Sequence, residues 1–469
     1  MFEKLANIFR VPDLRKRVLF TLAMLAVYRL GGHIPTPGIN AQALQRLFEQ
    51  NLGGALGLID LFSGRNMRQM TVFALGIMPY ITASIILQLL TVVYEPLAKL
   101  QKEGELGRKK ITQWTRYLTV VLSALQSLGI AYTLMKKSTG DVQLVINPGP
   151  GFVLLAMLTL TAGSVFIMWL GEQITERGVG NGMSLLIFAG IVSGLPVGIA
   201  ELWDKVKNQT LGGAFAPLVV AMLVILFVGV VAFIVFVERS ERRITVQYAR
   251  RVVGRKVVGG QYQHLPLRVN AGGVMPVIFA SSILTFPAMV FGSYLQNSRY
   301  FKPLLDVLHP SEPIYMFLYS LCIIFFAYFY VSIVFNPTDV ADNMRKYGGF
   351  IPGIRPGKRT ADYINEILTR ITLVGALYLI IISMIPTWVV SGVRLQHTPF
   401  VGRFFDAFPS WILTGLNLSY NVSFLFGGTS LLIVVGVAMD TVNQIESQLI
   451  MRHYEGFSRN ARVKGRKLW

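Results

Sequence analysis

Long apolar runs recur along this 469-residue chain, and several approach or exceed the roughly 20 residues that a helix needs to cross a bilayer core. Backbone groups in hydrocarbon must hydrogen-bond within their own segment, so these runs are predicted to be helices. Only 14% of the residues are charged, against roughly 25% in an average soluble domain. The sequence therefore predicts an all-α polytopic membrane protein.

The apolar pattern defines how many times the chain crosses the membrane. The basic N-terminus runs into the first apolar segment without a small-residue cleavage site, which favours a retained first span over a removed signal peptide. An even number of spans puts both termini on the same side. The pattern predicts ten spans, at 18–32, 71–94, 114–135, 151–171, 183–203, 215–237, 273–292, 314–335, 367–390 and 424–449.

The distribution of Lys and Arg indicates which side of the membrane the termini occupy. The termini and the loops on their side hold 30 of the 44 Lys and Arg residues, whereas the five alternate loops hold 11. Basic residues are enriched in loops that remain in the cytosol. Both termini are therefore predicted to be cytosolic. Much of the +20 net charge reflects this topology, and attraction of the protein surface to anionic membrane lipid is the simplest reading of the remainder.

Two internal matches indicate a repeated architecture. The segment GIMPYITASIIL (76–87) matches GVMPVIFASSIL (273–284), which relates span 2 to span 7. The segment GMSLLIFAGI (182–191) matches GTSLLIVVGV (428–437), which relates span 5 to span 10. One such apolar match could arise by chance, but two in the same order predict that the chain is a duplicated five-span unit.

The repeat predicts an N-terminal half at 1–203 and a C-terminal half at 204–469. Five is an odd number, so the second half enters the membrane inverted, and functional sites of such proteins gather near the midplane between the halves. If the matched isoleucines face that axis, they form an apolar collar, which seals by dewetting; ordinary helix packing is the alternative. The collar comprises four matched isoleucines and one a turn later: Ile81, Ile187, Ile278, Ile433 and Ile85.

The polar residues weigh against two other classes of membrane protein. A secondary transporter, the main alternative, needs ionisable groups at membrane depth, but the span interiors hold little beyond Arg29 and Asp440. An intramembrane protease is disfavoured because no HExxH motif or intramembrane Ser–His pairing is present. The single cysteine, Cys322, lies in an apolar run and supplies no disulfide framework. We therefore expect no catalytic, metal-binding or cofactor-binding residues.

A short apolar segment interrupts the first outer loop. ALGLIDLFSG (55–64) is flanked by glycine and is too short to cross the membrane. It is either a re-entrant segment or an amphipathic helix on the outer surface, and the residues alone favour neither.

Two long basic loops are predicted to face the cytosol. Residues 238–272 alternate apolar and polar residues on both sides of a VGR turn, which predicts a β-hairpin. Residues 336–366 contain YGGFIPGIRPGKRT, in which prolines remove the amide donors that a phosphate loop would need, so no nucleotide site is expected. A stiff basic surface suits a large acidic or phosphate-bearing partner. The second loop presents Arg355, Lys358 and Arg359.

Long motifs throughout the chain resemble the SecY/Sec61-alpha family, the channel subunits of the Sec protein translocase. They include YRLGGHIPTPGI, FALGIMPYITASIILQLL, GNGMSLLIFAGIVSGLP, HLPLRVNAGGVMPVIFASSILTFP, NPTDVADNMRKYGGFIPGIRPGKRT and FGGTSLLIVVGVAMDTV. The resemblance covers essentially the whole chain and departs from the bacterial pattern mainly in a longer outer segment at 391–423. It implies a channel in the bacterial cytoplasmic membrane that passes unfolded preproteins outward and releases apolar segments into lipid.

The resemblance also implies roles for individual residues. The pore ring of an hourglass pore falls on the five collar isoleucines, and a plug falls near 55–66, on Leu58, Ile59, Leu61 and Phe62. A lateral gate between spans 2–3 and 7–8 would use Thr91, Gln126, Ser281 and Ser282. The basic loops would receive the SecA motor ATPase and the ribosome through Arg251, Arg255, Lys256, Arg355, Lys358 and Arg359. SecE and SecG would be partner subunits, and signal peptides would be recognised.

Overall fold

The computed structural model describes residues 11–40, 43–44, 63–137, 144–207, 216–248, 251–253, 256–258, 262–295, 313–391 and 428–460. Helices account for most of this part of the chain. They are α1 Pro12–Gly31, α2 Met78–Val93, α3 Glu95–Lys102, α4 Glu105–Lys137, α5 Pro150–Arg177, α6 Gly182–Lys207, α7 Ala216–Arg239, α8 Met275–Leu295, α9 Pro313–Val334, α10 Pro337–Lys346, α11 Lys358–Ser391 and α12 Gly428–Asn460.

Within the described residues, five helical stretches are long and apolar enough to cross a membrane. A sixth is obtained if α2 and α3, which meet at a bend of 104°, are taken as one broken span. Several apolar helices are thus present, as the sequence predicts, while the count of ten spans stays a prediction. The five stretches are Glu105–Met135, Pro150–Arg177, Gly182–Ala200, Ile314–Lys346 and Lys358–Met384.

Proline in the first turn marks where many of these helices begin. The first N–H groups of a helix have no intrahelical acceptor, and the proline φ angle already suits a helix, so proline is well tolerated there. At the start of α10, the Asn336 side chain also accepts a hydrogen bond from the Thr338 amide. First-turn prolines occur at Pro12, Pro79, Pro96, Pro150 and Pro337.

Residue contacts group the described chain into two compact units. Unit 1 contains the described residues up to Gly194 and those from Val437 onward. In this unit α1 packs on α5, α2 on α4, and α4 on α5. The Thr21 hydroxyl of α1 accepts a hydrogen bond of 3.1 Å from the Val179 amide, which ties α1 to the turn after α5.

Unit 2 comprises Leu195–Gly436. Here α8 packs on α9, and α11 packs on both α9 and α10. The Phe279 ring makes edge contacts with Phe326 and Tyr330, at centroid distances of 5.8 and 6.1 Å. These aromatic contacts fix α8 against α9.

The predicted hairpin after α7 is present. Its strands β1 (Glu241–Tyr248) and β4 (Tyr262–Arg268) pair antiparallel, and β2 (Arg251–Val253) pairs with β3 (Lys256–Val258) in the same register. Val253 pairs with Lys256, which agrees with the turn position that the VGR motif predicts. A fifth strand, β5 (Gly349–Phe350), comes from the other basic loop and pairs with β1, which gives the sheet order β4-β1-β5.

Candidate functional site

The first internal repeat has the same backbone geometry in each unit. Gly76 and Gly273 both have a φ of +57°, a conformation that favours glycine, and a helix begins two residues after each of them. The Ile81 amide donates to the Ile77 carbonyl at 3.1 Å. In unit 2 the Ile278 amide donates to the Val274 carbonyl at 3.2 Å. Ile81 and Ile278 therefore occupy the same position in the first turn of their helices.

The second repeat also begins its helices at matched residues. Helix α6 starts at Gly182 and α12 starts at Gly428. The predicted collar residues Ile187 and Ile433 thus lie at the same position in their own helices. Together with Ile81, Ile85 and Ile278, they are between 0% and 6% exposed. Each predicted collar residue is buried and apolar, and their assembly into one collar between the units stays a prediction.

The four predicted gate residues are all buried. The hydroxyls of Ser281 and Ser282 both donate to the carbonyl of Ile278, at 2.9 and 2.7 Å. The Thr91 hydroxyl donates to the Gln88 carbonyl at 2.7 Å. The side-chain oxygen of Gln126 has no donor among the described residues. Three of the four side chains thus bond within their own helix, and their role in a gate stays a prediction.

The predicted plug residues Leu58, Ile59, Leu61 and Phe62 lie outside the described residues. The segment that follows them is fixed within unit 1. The Ser63 carbonyl accepts hydrogen bonds from the Tyr28 hydroxyl at 3.2 Å and from the side-chain amide of Asn66 at 2.7 Å. Gly64, with a φ of +72°, leaves no room for a side chain, because a Cβ there would lie 2.7 Å from the Gly190 Cα of α6.

The two predicted basic loops form one folded part of unit 2, which we call the basic module: β1 to β5, α10 and the first turns of α11. Its core is apolar and draws on five segments, namely β1, β4, α10, the residue that follows β5, and α11. Gly349 is required at the β5 pairing because a Cβ there would lie 2.9 Å from the Tyr248 ring. The core consists of Ile244, Val246, Leu267, Met344, Ile351, Ile364, Ile367 and Leu368.

Arg355 lies at the end of a loop that this core supports. Ile351 is buried in the core and Ile354 packs against it, with the Ile354 amide donating to the Ile351 carbonyl at 3.0 Å. The Thr360 hydroxyl donates to the Arg355 carbonyl at 3.0 Å, which fixes the backbone of the loop to the start of α11. The side chains of Arg355, Lys358 and Arg359 are exposed. All three cations are thus exposed within one short segment of the chain.

The other predicted contact residues lie on the far part of the hairpin. Arg251 belongs to β2 and Lys256 to β3. Arg255 lies outside the described residues. The described hairpin and the Arg355 loop belong to the same sheet through β1 and β5, a link that the sequence did not reveal because β5 is too short to show a periodic pattern.

One polar contact between spans was missed by the sequence reasoning. The Arg116 guanidinium of α4 forms a 2.8 Å ion pair with Glu172 of α5, and the two side chains are 44% and 14% exposed. Glu172 falls just beyond the apolar run that defined its span, so hydropathy alone did not mark it. Among the described residues no group of His, Cys, Asp and Glu could hold a metal ion.

Comparison with known proteins gives consistent matches. The SecY family model matches residues 71–442. Protein translocase subunit SecY of Escherichia coli strain K12 is 46% identical over 456 residues, covering 97% of this chain and 96% of that protein. The Streptomyces galbus protein of the same name is 47% identical over 467 residues, covering 98% of this chain and all of that protein.

Solved structures show the same fold. One described as the structure of a protein conducting channel aligns with a TM-score of 0.60 over 93% of both chains, at 17% identity. Sec61 in the canine ribosome-channel complex from the endoplasmic reticulum aligns with a TM-score of 0.56 over 93% of both chains, at 15% identity.

Proposed function

Because the chain belongs to the SecY family of protein translocase subunits, we propose that it is a protein-conducting channel. It passes unfolded secretory polypeptides across the cytoplasmic membrane and releases apolar segments sideways into lipid. The observation that carries this proposal is the matched placement of buried isoleucines at equivalent positions of repeated helices. An aliphatic collar excludes water and ions at rest, yet it can yield to a bulky chain because it makes no directional bonds.

The proposed channel has ten spans and two inverted halves, 1–203 and 204–469, around an hourglass pore. Both termini lie in the cytosol, and the protein is embedded in the bacterial cytoplasmic membrane. The apolar helices and the distribution of Lys and Arg support this topology. The basic module, which lies between predicted spans, then faces the cytosol.

The lateral gate opens between spans 2–3 and 7–8. Ser281 and Ser282 support this role because their hydroxyls share one carbonyl acceptor, that of Ile278. A carbonyl has two lone pairs, so neither hydroxyl is strained, and either one can turn to an entering polar group. The plug near 55–66 closes the outer side, and its C-terminal end is fixed at Ser63 and Gly64.

The basic module receives whatever delivers the polypeptide, namely the SecA motor ATPase or the ribosome. Both ribosomal RNA and acidic protein surfaces attract a fixed cationic patch. Support comes from the exposed Arg355, Lys358 and Arg359 on a loop anchored in an apolar core. Canine Sec61 and the yeast Ssh1 complex are each known in complex with a ribosome. SecE and SecG complete the proposed complex, and signal peptides and preproteins are its substrates.

The channel performs no bond chemistry itself and binds no nucleotide or cofactor; the motor or translation supplies the energy. A secondary transporter with the same inverted-repeat design is the alternative. The Arg116–Glu172 pair is the feature that would favour it, because coupled transport uses ionisable groups in spans. A transporter would also need a polar midplane site, however, and the residues that the repeat predicts to lie at the midplane are aliphatic.

Site-specific photo-crosslinking tests the proposed function. A photo-reactive amino acid replacing Ile278 should capture a secretory precursor that is stalled during translocation. The matched control is the same probe replacing Leu321, which is exposed on α9 and faces away from the unit core. Capture from Leu321 but not from Ile278 would contradict a polypeptide path at the collar.

A further inference from the structure

The connection between β4 and α8 is held by more contacts than a surface loop requires. The Val269 amide donates to the Ser240 carbonyl at 3.0 Å, which extends the β1–β4 ladder to the end of α7. The next residue, Asn270, is only 5% exposed. The hairpin therefore meets the membrane helices as a continuous structure.

Asn270 links three parts of the unit. Its side-chain amide donates to the Glu238 carboxylate of α7 at 2.7 Å and to the Gly273 carbonyl at 3.1 Å. Gly273, with its φ of +57°, leads directly into α8, whose first turn carries Ile278. One buried side chain thus connects the end of α7 to the start of the helix that carries a collar residue.

Helix α11 closes the other side of this connection. A Cβ at Gly375 would lie 2.7 Å from the Val269 carbonyl oxygen and 3.6 Å from the Asn270 Cα, so the two backbones are in direct contact. The same helix carries Ile364, Ile367 and Leu368 into the core of the basic module. The hairpin and α11 therefore both reach this one point.

We propose that Asn270 is a positioning residue that couples the basic module mechanically to α8. The joint is formed by Glu238, Ser240, Val269, Asn270 and Gly273. A displacement of the module on docking is transmitted through the joint to Ile278, because close-packed contacts move together while flexible links absorb displacement. The role rests on the proposed function, which supplies the docking partner and the pore.

A fluorescent reporter at the collar separates docking from transmission. Cys322 is the single cysteine, so Cys322→Ser with Ile278→Cys allows one environment-sensitive probe to be attached in the assembled complex. Adding SecA with a non-hydrolysable ATP analogue should change the emission of the probe. With Asn270→Ala added, that change should be lost and translocation should fall about tenfold, while SecA affinity stays within about twofold.

Two further variants test whether the hydrogen bond itself is responsible. Asn270→Asp places a carboxylate against Glu238, and adding Glu238→Gln restores a bond with donor and acceptor exchanged. The double variant should therefore recover part of the emission response that Asn270→Asp loses. Asn443→Ala, which changes an exposed asparagine of α12 outside the basic module, is the matched control and should respond like the reference chain. If Asn270→Ala does not accumulate in membranes, Glu238→Ala removes the same bond from its other end.

The outcomes are distinguishable. A normal emission response in Asn270→Ala would overturn the proposed role of the joint. Equal losses of SecA binding and translocation would also overturn it, because they would mean that Asn270 shapes the docking surface itself. No recovery in the double variant would reject the hydrogen bond as the coupling element. If the reference chain captures no precursor from the probe at Ile278, the proposed function fails, and the joint's role fails with it.

Discussion

Gly76 and Gly273 adopt the same left-handed backbone conformation, with a φ of +57° at both sites, two residues before the helices that carry Ile81 and Ile278. A side chain at either position would meet its own backbone in this region of φ. The repeat is therefore maintained in backbone conformation as well as in sequence, and the shared turn sets the direction in which each helix starts.

Replacing Gly273 with Ala should destabilise the protein by about 1–2 kcal/mol, the cost of a left-handed conformation for a residue with a Cβ. No neighbouring atom lies within 4 Å of the added Cβ, so the loss would come from the backbone alone. Gly273→Asn should cost less because Asn tolerates this region better. Thermal unfolding in detergent measures both. Gly229→Ala, in the open interior of α7, is the control and should not destabilise.

The collar makes a separate prediction about conductance. Replacing both Ile81 and Ile187 with Asn should make the resting channel leak ions in planar bilayers, because polar groups favour a water-filled constriction. The same variant should also accept precursors with defective signal peptides. Val92→Asn on α2 and Ile199→Asn on α6 change exposed positions of the same two helices and should leave conductance unchanged. An unaltered resting conductance in the double variant would rule out a seal at these residues.

Arg355 and Thr360 should affect docking in different ways. Arg355→Glu reverses the charge presented to the partner and should reduce secretion without lowering the amount of protein in the membrane. Thr360→Val removes only the hydroxyl that holds the Arg355 carbonyl. It should weaken docking by no more than about 0.5–1.5 kcal/mol, the typical net contribution of one such bond to stability.

Binding of SecA to reconstituted vesicles measures both effects. Thr360→Ser keeps the hydroxyl and should bind normally. Thr369→Val, which removes a hydroxyl bonded to the Asn365 carbonyl further along α11, is the matched control. Equal weakening by Thr360→Val and Thr369→Val would mean that loop fixation is not the cause.

The sequence was sufficient where a single segment decides the structure. Apolar runs located the five long apolar helices that the structure describes, because burial in lipid and helical hydrogen bonding are both local requirements. The hairpin was predictable because RITVQY alternates, and the observed pairing of Val253 with Lys256 agrees with the predicted turn position. The repeat predicted equivalent helix positions for Ile81 and Ile278, because each lies five residues after a matched glycine, Gly76 or Gly273.

Contacts between distant segments were not predictable in this way. Strand β5 has two residues, and its pairing depends on the fit of Gly349 beneath the Tyr248 ring. The joining of the two basic loops into one module follows from that fit and from a core drawn from five separate segments. Neither the fit of Gly349 nor the shared core produces a periodic pattern in the sequence of either loop. The same limit applies to Asn270, whose partner Glu238 is brought close only by the folded hairpin.

The Arg116–Glu172 pair is a further long-range contact, and it gives the last prediction. Arg116→Glu or Glu172→Arg alone should destabilise by about 1–3 kcal/mol, because each leaves like charges close together in place of a charged hydrogen bond. The exchange variant carrying both changes should regain most of that loss. Arg370→Glu, which breaks the 2.6 Å pair with Glu366 on the exposed face of α11, should cost less than about 1 kcal/mol. Thermal unfolding in detergent measures all of these variants, and an exchange variant that unfolds as early as the single variants would contradict a stabilising pair.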